Sequence, residues 1–252
     1  MTTHHPLGPS GGHRWMACPG SVRLCAELPD TSSQYAEEGS KAHRLAESCL
    51  RQGMCANTPP DGPDEASTYP AEMREYVQQY LDFVWSISGD REVECQVDGN
   101  EWVPGCFGTI DCLTLGNRIA HVTDLKYGVG VKVFAKDNIQ LKLYGLFAYQ
   151  AYYWLYGIEE WHLTIVQPRL DHIDTWTISS ADLLAWGETV KATAALAMTP
   201  DAPLVPGEEQ CRFCKAKSIC RARADANLAL AREEFSASFI YQLTLCKRSC
   251  LC

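Results

Sequence analysis

Asp111 and the run Asp124-Leu125-Lys126 place two carboxylates and an amine on neighbouring predicted strands joined by a Gly116-Asn117 turn. Two hard oxygen ligands converging at one end of a sheet suit Mg2+ or Mn2+, ions that keep several waters and need few protein ligands. Lys126 stands two positions after Asp124, so a strand points both side chains to one face. An amine placed there can orient or help deprotonate an attacking water and offset charge developing on a phosphate. Glu94, on the preceding strand, is a candidate further acid for the same centre. An Asp-x-Lys pair alone is more often an exposed ion pair. Here it follows Gly108-Thr109-Ile110-Asp111 and precedes Gln140 and Tyr144, which lie one helical turn apart on a common face.

A second constellation is built of sulfur. Cys211, Cys214 and Cys220 form a C-x2-C-x5-C run, and Cys18 stands far upstream in Trp15-Met16-Ala17-Cys18-Pro19-Gly20-Ser21. Four thiolates so spaced can hold an iron–sulfur cluster or Zn2+ and would tie both ends of a domain together. The run lacks the paired C-x2-C motifs of a zinc ribbon, and no histidine near Cys220 completes a finger. The spacing therefore favours iron–sulfur, with structural zinc as the alternative, and Cys25 competes with Cys18 for the N-terminal position. Thirteen cysteines, an odd number, without an evident export signal argue for metal ligation and buried thiols over disulfides. Cys246, Cys250 and Cys252 have no interpretable spacing.

A chain of 252 residues, 46% hydrophobic, is long enough to bury a full core. Its opening residues lack a charged start followed by an apolar stretch, and the longest apolar region, residues 143–158, is short for a membrane span. The expectation is a cytoplasmic protein without membrane contact. A net charge of −9 weighs against a broadly basic nucleic-acid surface. Local clusters at Lys126, Lys132, Lys136 and Lys142, and from Arg212 to Arg223, still allow a narrow basic groove.

Periodicity predicts the elements that must position these residues. Residues 1–14 read as disordered. Residues 33–52 read as an amphipathic helix, or a pair joined near Gly39, with His43 on or beside the apolar face; residues 53–68 form a loop, and residues 70–87 a second helix. Strands follow at 91–97, 106–115 and 118–126 as an antiparallel meander, then a long buried helix at 138–156, strands at 161–167 and 173–178, a helix at 181–197, and a polar helix at 221–234. This order describes a mixed α/β core, with a central helix packed against the sheet. The domain is drawn over 15–224, and 225–252 as a C-terminal helix and tail.

The order His43, Gly-Thr-Ile-Asp111, Asp124-Leu-Lys126 and Gln140-x3-Tyr144 resembles the RecB-type nuclease branch of the PD-(D/E)xK superfamily, over residues 15–224. It is closest to a phage-encoded group in which segments like RWMACPGS, EEGSKAH, GTID, TDLKYG, NIQLKLY and IVQPR recur in this order. The resemblance implies a restriction-endonuclease-like core and a DNA exonuclease of phage recombination, replication or repair, acting on single strands or duplex ends in a bacterial host. It implies that His43, Asp111, Asp124 and the Leu125 carbonyl bind Mg2+ or Mn2+, that Lys126 is catalytic, and that Gln140 and Tyr144 contact or position DNA. The remote-plus-three cysteines are similar to the [4Fe–4S] clasp of AddB-like and CRISPR-associated RecB-like nucleases, implying Cys18, Cys211, Cys214 and Cys220 as ligands. The competing expectation is a catalytically dormant DNA-binding or scaffolding protein that keeps the metal cluster; a thiolate redox protein has no support beyond the cysteines. Members of the phage group continue past the cysteine run, whereas this chain closes on LTLCKRSCLC, the ending expected of a truncated member.

Overall fold

The computed structural model describes residues 5–29, 34–58 and 69–249, with side chains through 235. The prolines and Gly62 of the expected 53–68 loop, and Cys250 and Cys252, lie outside the described residues. In chain order the elements are α1 (Gly12–Ala17), α2 (Ser21–Ala26), α3 (Gln34–Gln52), α4 (Ala71–Ser86), β1 (Asp90–Asp98), β2 (Phe107–Gly116), β3 (Ile119–Leu125), α5 (Ile139–Tyr156), β4 (Glu160–Gln167), β5 (His172–Ser179), α6 (Ser180–Ala197), α7 (Glu208–Arg212) and α8 (Arg221–Ser249). Among the described residues no helix is long and apolar enough to cross a membrane.

The five strands make one sheet in sequence order. β1, β2 and β3 form the antiparallel meander, β3 and β4 run parallel, and β5 returns antiparallel. A parallel pair needs a long crossover, and α5 supplies it. Asn138 caps that helix by accepting the Leu141 N–H (3.2 Å), and Gly157, at φ +59°, ends it in the left-handed conformation that favours glycine. Between the caps, Leu141 to Ala148 are all buried. Gly145 of α5 meets Trp161 and Leu163 on one face of β4, whereas Val166 joins Cys112, Leu125 and the apolar stripes of α3 and α4. Strand alternation therefore sets α5 on one face of the sheet and the α3–α4 pair on the other. The mixed α/β architecture follows the expectation, and α3 runs unbroken through Gly39.

Two expectations are corrected. Residues 5–14 are not loosely attached: Pro9–Gly11 form a 3-10 turn, Leu7 is buried, and its carbonyl accepts from Cys106 Sγ (3.5 Å). Gly12 is there for close approach, since a Cβ would stand 2.8 Å from Ile139 Cγ2. The polar helix expected to end near 234 continues to Ser249.

The chain divides into two compact units, residues 1–13 with 29–195, and 14–28 with 196–252, in place of one domain over 15–224. The first holds the sheet. In the second, the Gly20 N–H donates to Pro203 O (2.9 Å), the Val205 N–H donates to Cys18 Sγ (3.2 Å), and Arg14 Nη1 donates to Ser21 Oγ (2.7 Å). A Cβ at Gly20 would lie 2.4 Å from Ala202 O, a backbone atom with little room to yield. Gly20→Ala is expected to cost about 1–3 kcal/mol by overpacking, read as a lower urea midpoint of the full chain; an unchanged midpoint would refute this close approach.

Candidate metal centre

The β2–β3 ladder ends at the pair Cys112–Thr123, and the next residues on each strand are Asp111 and Asp124. Where backbone pairing stops, side chains take over. The Leu125 N–H donates to Asp111 Oδ2 (2.7 Å), and Asp111 Oδ1 lies 3.2 Å from His43 Nδ1 on α3. Opposite Asp111 on β1 is Glu94, skipped by the ladder between Val93–Cys112 and Cys95–Ile110 and held at φ +48°. A glutamate there carries backbone strain, which the surrounding pairs must sustain. One ligand atom from each of His43, Glu94 and Asp111 lies within 4.8 Å of the others.

Asp124 is 2% exposed. Lys126 Nζ lies 2.8 Å from its Oδ2, while Gln140 Nε2 donates to its Oδ1 (3.2 Å). The same Gln140 accepts from Lys126 Nζ at Oε1 (2.9 Å) and donates to Tyr144 Oη (3.0 Å). Asp124 Oδ2 has its ion pair but no hydrogen bond of acceptable geometry, so part of a buried carboxylate is left unsatisfied. The Tyr144 ring lies against Gly108, where a Cβ would stand 3.0 Å from Cε1, which explains the glycine of Gly-Thr-Ile-Asp.

All eight residues singled out for this centre, His43, Glu94, Asp111, Asp124, Leu125, Lys126, Gln140 and Tyr144, thus gather where α3, the sheet end and α5 meet. Four of them, His43, Glu94, Asp111 and Tyr144, border an open cleft of about 810 Å3, walled by the Gly8–Ser10 turn, by Gly39, Ser40 and Arg44 of α3, and by Phe107 and Thr109 of β2. The basic groove is corrected. Lys142 is buried, its Nζ 4.3 Å from the Trp186 ring centroid and 5.8 Å from that of Trp176, so it braces α5. Lys132 and Lys136 are exposed on the loop before α5. Gln167 holds that loop by accepting from Val133 N (2.7 Å) and donating to Val131 O (3.0 Å).

Residues 4–244 match the model of a family described as "Protein of unknown function (DUF2800)". The chain belongs to the DUF2800 family. The solved structure "Crystal structure of SSO0001" is similar over 88% of this chain and 89% of that one, at 15% identity and a TM-score of 0.38, too distant to argue from.

Two features of this DUF2800 centre escape sequence reasoning. Arg169 Nη1 pairs with Glu38 Oε2 (3.0 Å) and its guanidinium lies 4.9 Å from the Tyr127 ring centroid, fixing the first turns of α3 beside the site. Both residues fall in the segments EEGSKAH and IVQPR, the available signal. Tyr80 is read only as part of a buried stripe, yet it lines a recess beside Glu94 and Asp111 together with Glu47. In the second unit, Cys25 Sγ, the competing N-terminal candidate, stands 3.7 Å from Cys214 Sγ, and Cys18, Cys25 and Cys214 are buried while Cys211 and Cys220 are half-buried.

The electrostatics follow from burial among like charges. Burial depresses the His43 imidazole, but its hydrogen bond to Asp111 and the charges of Asp111 and Asp124 outweigh that and hold it at about 9. Burial, then Asp111 and Glu47, lift the Glu94 carboxyl to about 7. Burial also raises Asp124, against the pull of Lys126. Both His43 and Glu94 hold protons more tightly folded than unfolded, so their stabilising effect is full at low pH and lost as pH rises. Stability of cation-free protein is expected to fall as pH passes through about 7 for Glu94 and about 9 for His43. His43→Gln should flatten the upper part; a wild-type profile in that variant, measured by denaturant midpoints, refutes the coupling.

Proposed function

We propose that this DUF2800 protein is a Mg2+- or Mn2+-dependent deoxyribonuclease of the PD-(D/E)xK, RecB-like type, hydrolysing phosphodiester bonds of single strands or duplex ends. The observation that carries the reading is the Asp124–Lys126 pair (2.8 Å) set beside the Asp111–His43 pair (3.2 Å) at one sheet end that opens into a cleft. The donor set fits a divalent cation. His43, Asp111, Asp124 and the Leu125 carbonyl offer one nitrogen and several hard oxygens, and His43, Glu94 and Asp111 each bring a ligand atom within 4.8 Å of the others.

A cation held by these residues would polarise the phosphodiester and make water more acidic. Asp111, fixed through Leu125 N–H, and Asp124, fixed through Gln140, present carboxylates that need no reorganisation to receive it. Lys126, held between Asp124 and Gln140, directs its amine at the place where a water attacks and phosphate charge grows. Gln140 locks that amine, and Tyr144 locks Gln140. The resemblance implies products with 5′-phosphates.

The second part of the proposal is that Cys18, Cys211, Cys214 and Cys220 hold a [4Fe–4S] cluster in the unit formed by the two chain ends. The N–H donated by Val205 to Cys18 Sγ suits a ligating thiolate.

Labelled DNA incubated with Mn2+ should release nucleotides, with chelator abolishing release and Asp124→Ala or Lys126→Ala lowering the rate by roughly 100-fold or more. Undiminished cleavage in both variants would sink the nuclease reading. Anaerobically purified protein should show visible absorption with stoichiometric iron and sulfide, lost in Cys214→Ser; zinc alone would overturn the cluster.

A further inference from the structure

The aromatic stretch that ends α5 has no part in the metal centre. Up to Ala148 the helix is buried, but beyond it Tyr153, Trp154 and Leu155 stand 47%, 76% and 60% exposed. Large apolar side chains clustered in water mark a surface built to be covered. Tyr153 and Trp154 edge a groove of about 400 Å3 in the first unit. Its floor is the buried Trp102 of the β1–β2 connection, stacked on Phe147 with ring centroids 6.2 Å apart and 14° between planes. Gly187 of α6 makes room for the indole, since a Cβ there would stand 2.6 Å from Trp102 Nε1. Tyr149 and Tyr153, one turn apart on α5, stack at 4.6 Å and 23° and form one wall with Trp154.

The charges lining this groove are unbalanced. Glu101 and Glu188 face a single amine, Lys191, whose Nζ lies 2.7 Å from Glu101 Oε1 and 3.4 Å from Glu188 Oε1. Two carboxylates against one ammonium leave a negative charge over, beside the last turn of α5, the negative end of that helix's dipole. The ring faces of tyrosine and tryptophan are negative as well and attract cations. A phosphate would be repelled here, and a neutral apolar group would leave the carboxylates unanswered. A guanidinium meets both demands, because its plane stacks on aromatic rings and its fork of N–H donors matches a carboxylate. We propose that the groove takes an arginine side chain of a protein partner, stacked against the Tyr153 and Trp154 rings and paired with Glu188. A protein is the source that the surface favours, since exposed Leu155 extends the apolar patch beyond what one side chain covers. Lys191 acts as an internal competitor, holding the carboxylates while the groove is empty. The inference is independent of the nuclease reading.

Calorimetric titration of the full chain tests this with three probes: the peptide Ac-Leu-Arg-Leu-NH2, the same peptide with neutral citrulline replacing arginine, and N-acetyl-arginine amide. The arginine peptide is expected to bind once per chain, at least tenfold more tightly than the citrulline peptide and several-fold more tightly than the single residue. Trp154→Ala, a change at an exposed position, should weaken it at least tenfold and Glu188→Gln several-fold. Lys191→Met, which keeps an apolar stem but removes the competing ammonium, should tighten it several-fold, an effect that a purely apolar groove would not show. Equal binding of the arginine and citrulline peptides overturns the proposal, as does binding unchanged by both Trp154→Ala and Glu188→Gln. N-acetyl-arginine amide binding as tightly as the peptide overturns the protein partner and assigns the groove to a free guanidino compound. No binding of any probe overturns the site altogether.

Discussion

A carboxylate taken almost wholly out of water must be compensated, and Asp124 at 2% exposure sets that requirement for the whole sheet end. The effective cost of burying such a charge is several kcal/mol unless paired and hydrogen-bonded. Lys126 supplies the charge, but its long side chain would sample many rotamers were it not held by Gln140. Gln140 can serve only if α5 starts directly above the end of β3, and this depends on the Asn138 cap and the crossover to β4. Tyr144 then fixes the amide, and its ring reaches β2 because residue 108 has no Cβ. One buried charge therefore accounts for the placement of a helix, a glycine and an amide that otherwise look unrelated.

The same logic explains what was legible in the sequence. Elements with a single period could be read: the alternation of β1 to β3 and the apolar density of α5 reflect local burial, and the meander and crossover follow from their order, although the turn expected at 116–117 falls one residue later, at Asn117–Arg118. The site's main residues were legible because they stand at strand ends and on one helical face. Lys142 was misread because its charge is visible in the sequence, while Trp176 and Trp186, which cover it, arrive from β5 and α6. Residues 5–14 were misread as disordered because a glycine needed for contact, as Gly12 is, and one needed for freedom are the same letter. Glu94 sits in an alternating run that predicts a regular strand, and nothing local announces φ +48°. The unit joining 14–28 to 196–252 depends on contacts across most of the chain, which periodicity does not carry.

In the proposed nuclease, electrostatics would reconcile the centre and the net charge of −9 with a phosphate substrate. Glu94, Asp111 and Asp124 lie around His43, and a phosphodiester entering that set alone would meet repulsion in a medium that screens poorly. The protein's own response is to retain protons, with Glu94 raised to about 7 and His43 to about 9. Cations placed among these groups would displace those protons and reverse the sign of the field. Substrate attraction at this sheet end would then be a property of the loaded centre and not of the chain's overall composition, and the proposal would not require a broadly basic surface. In the proposed nuclease the exposed Lys132 and Lys136 would need only to guide the strand locally, on a loop that Gln167 keeps in a fixed shape.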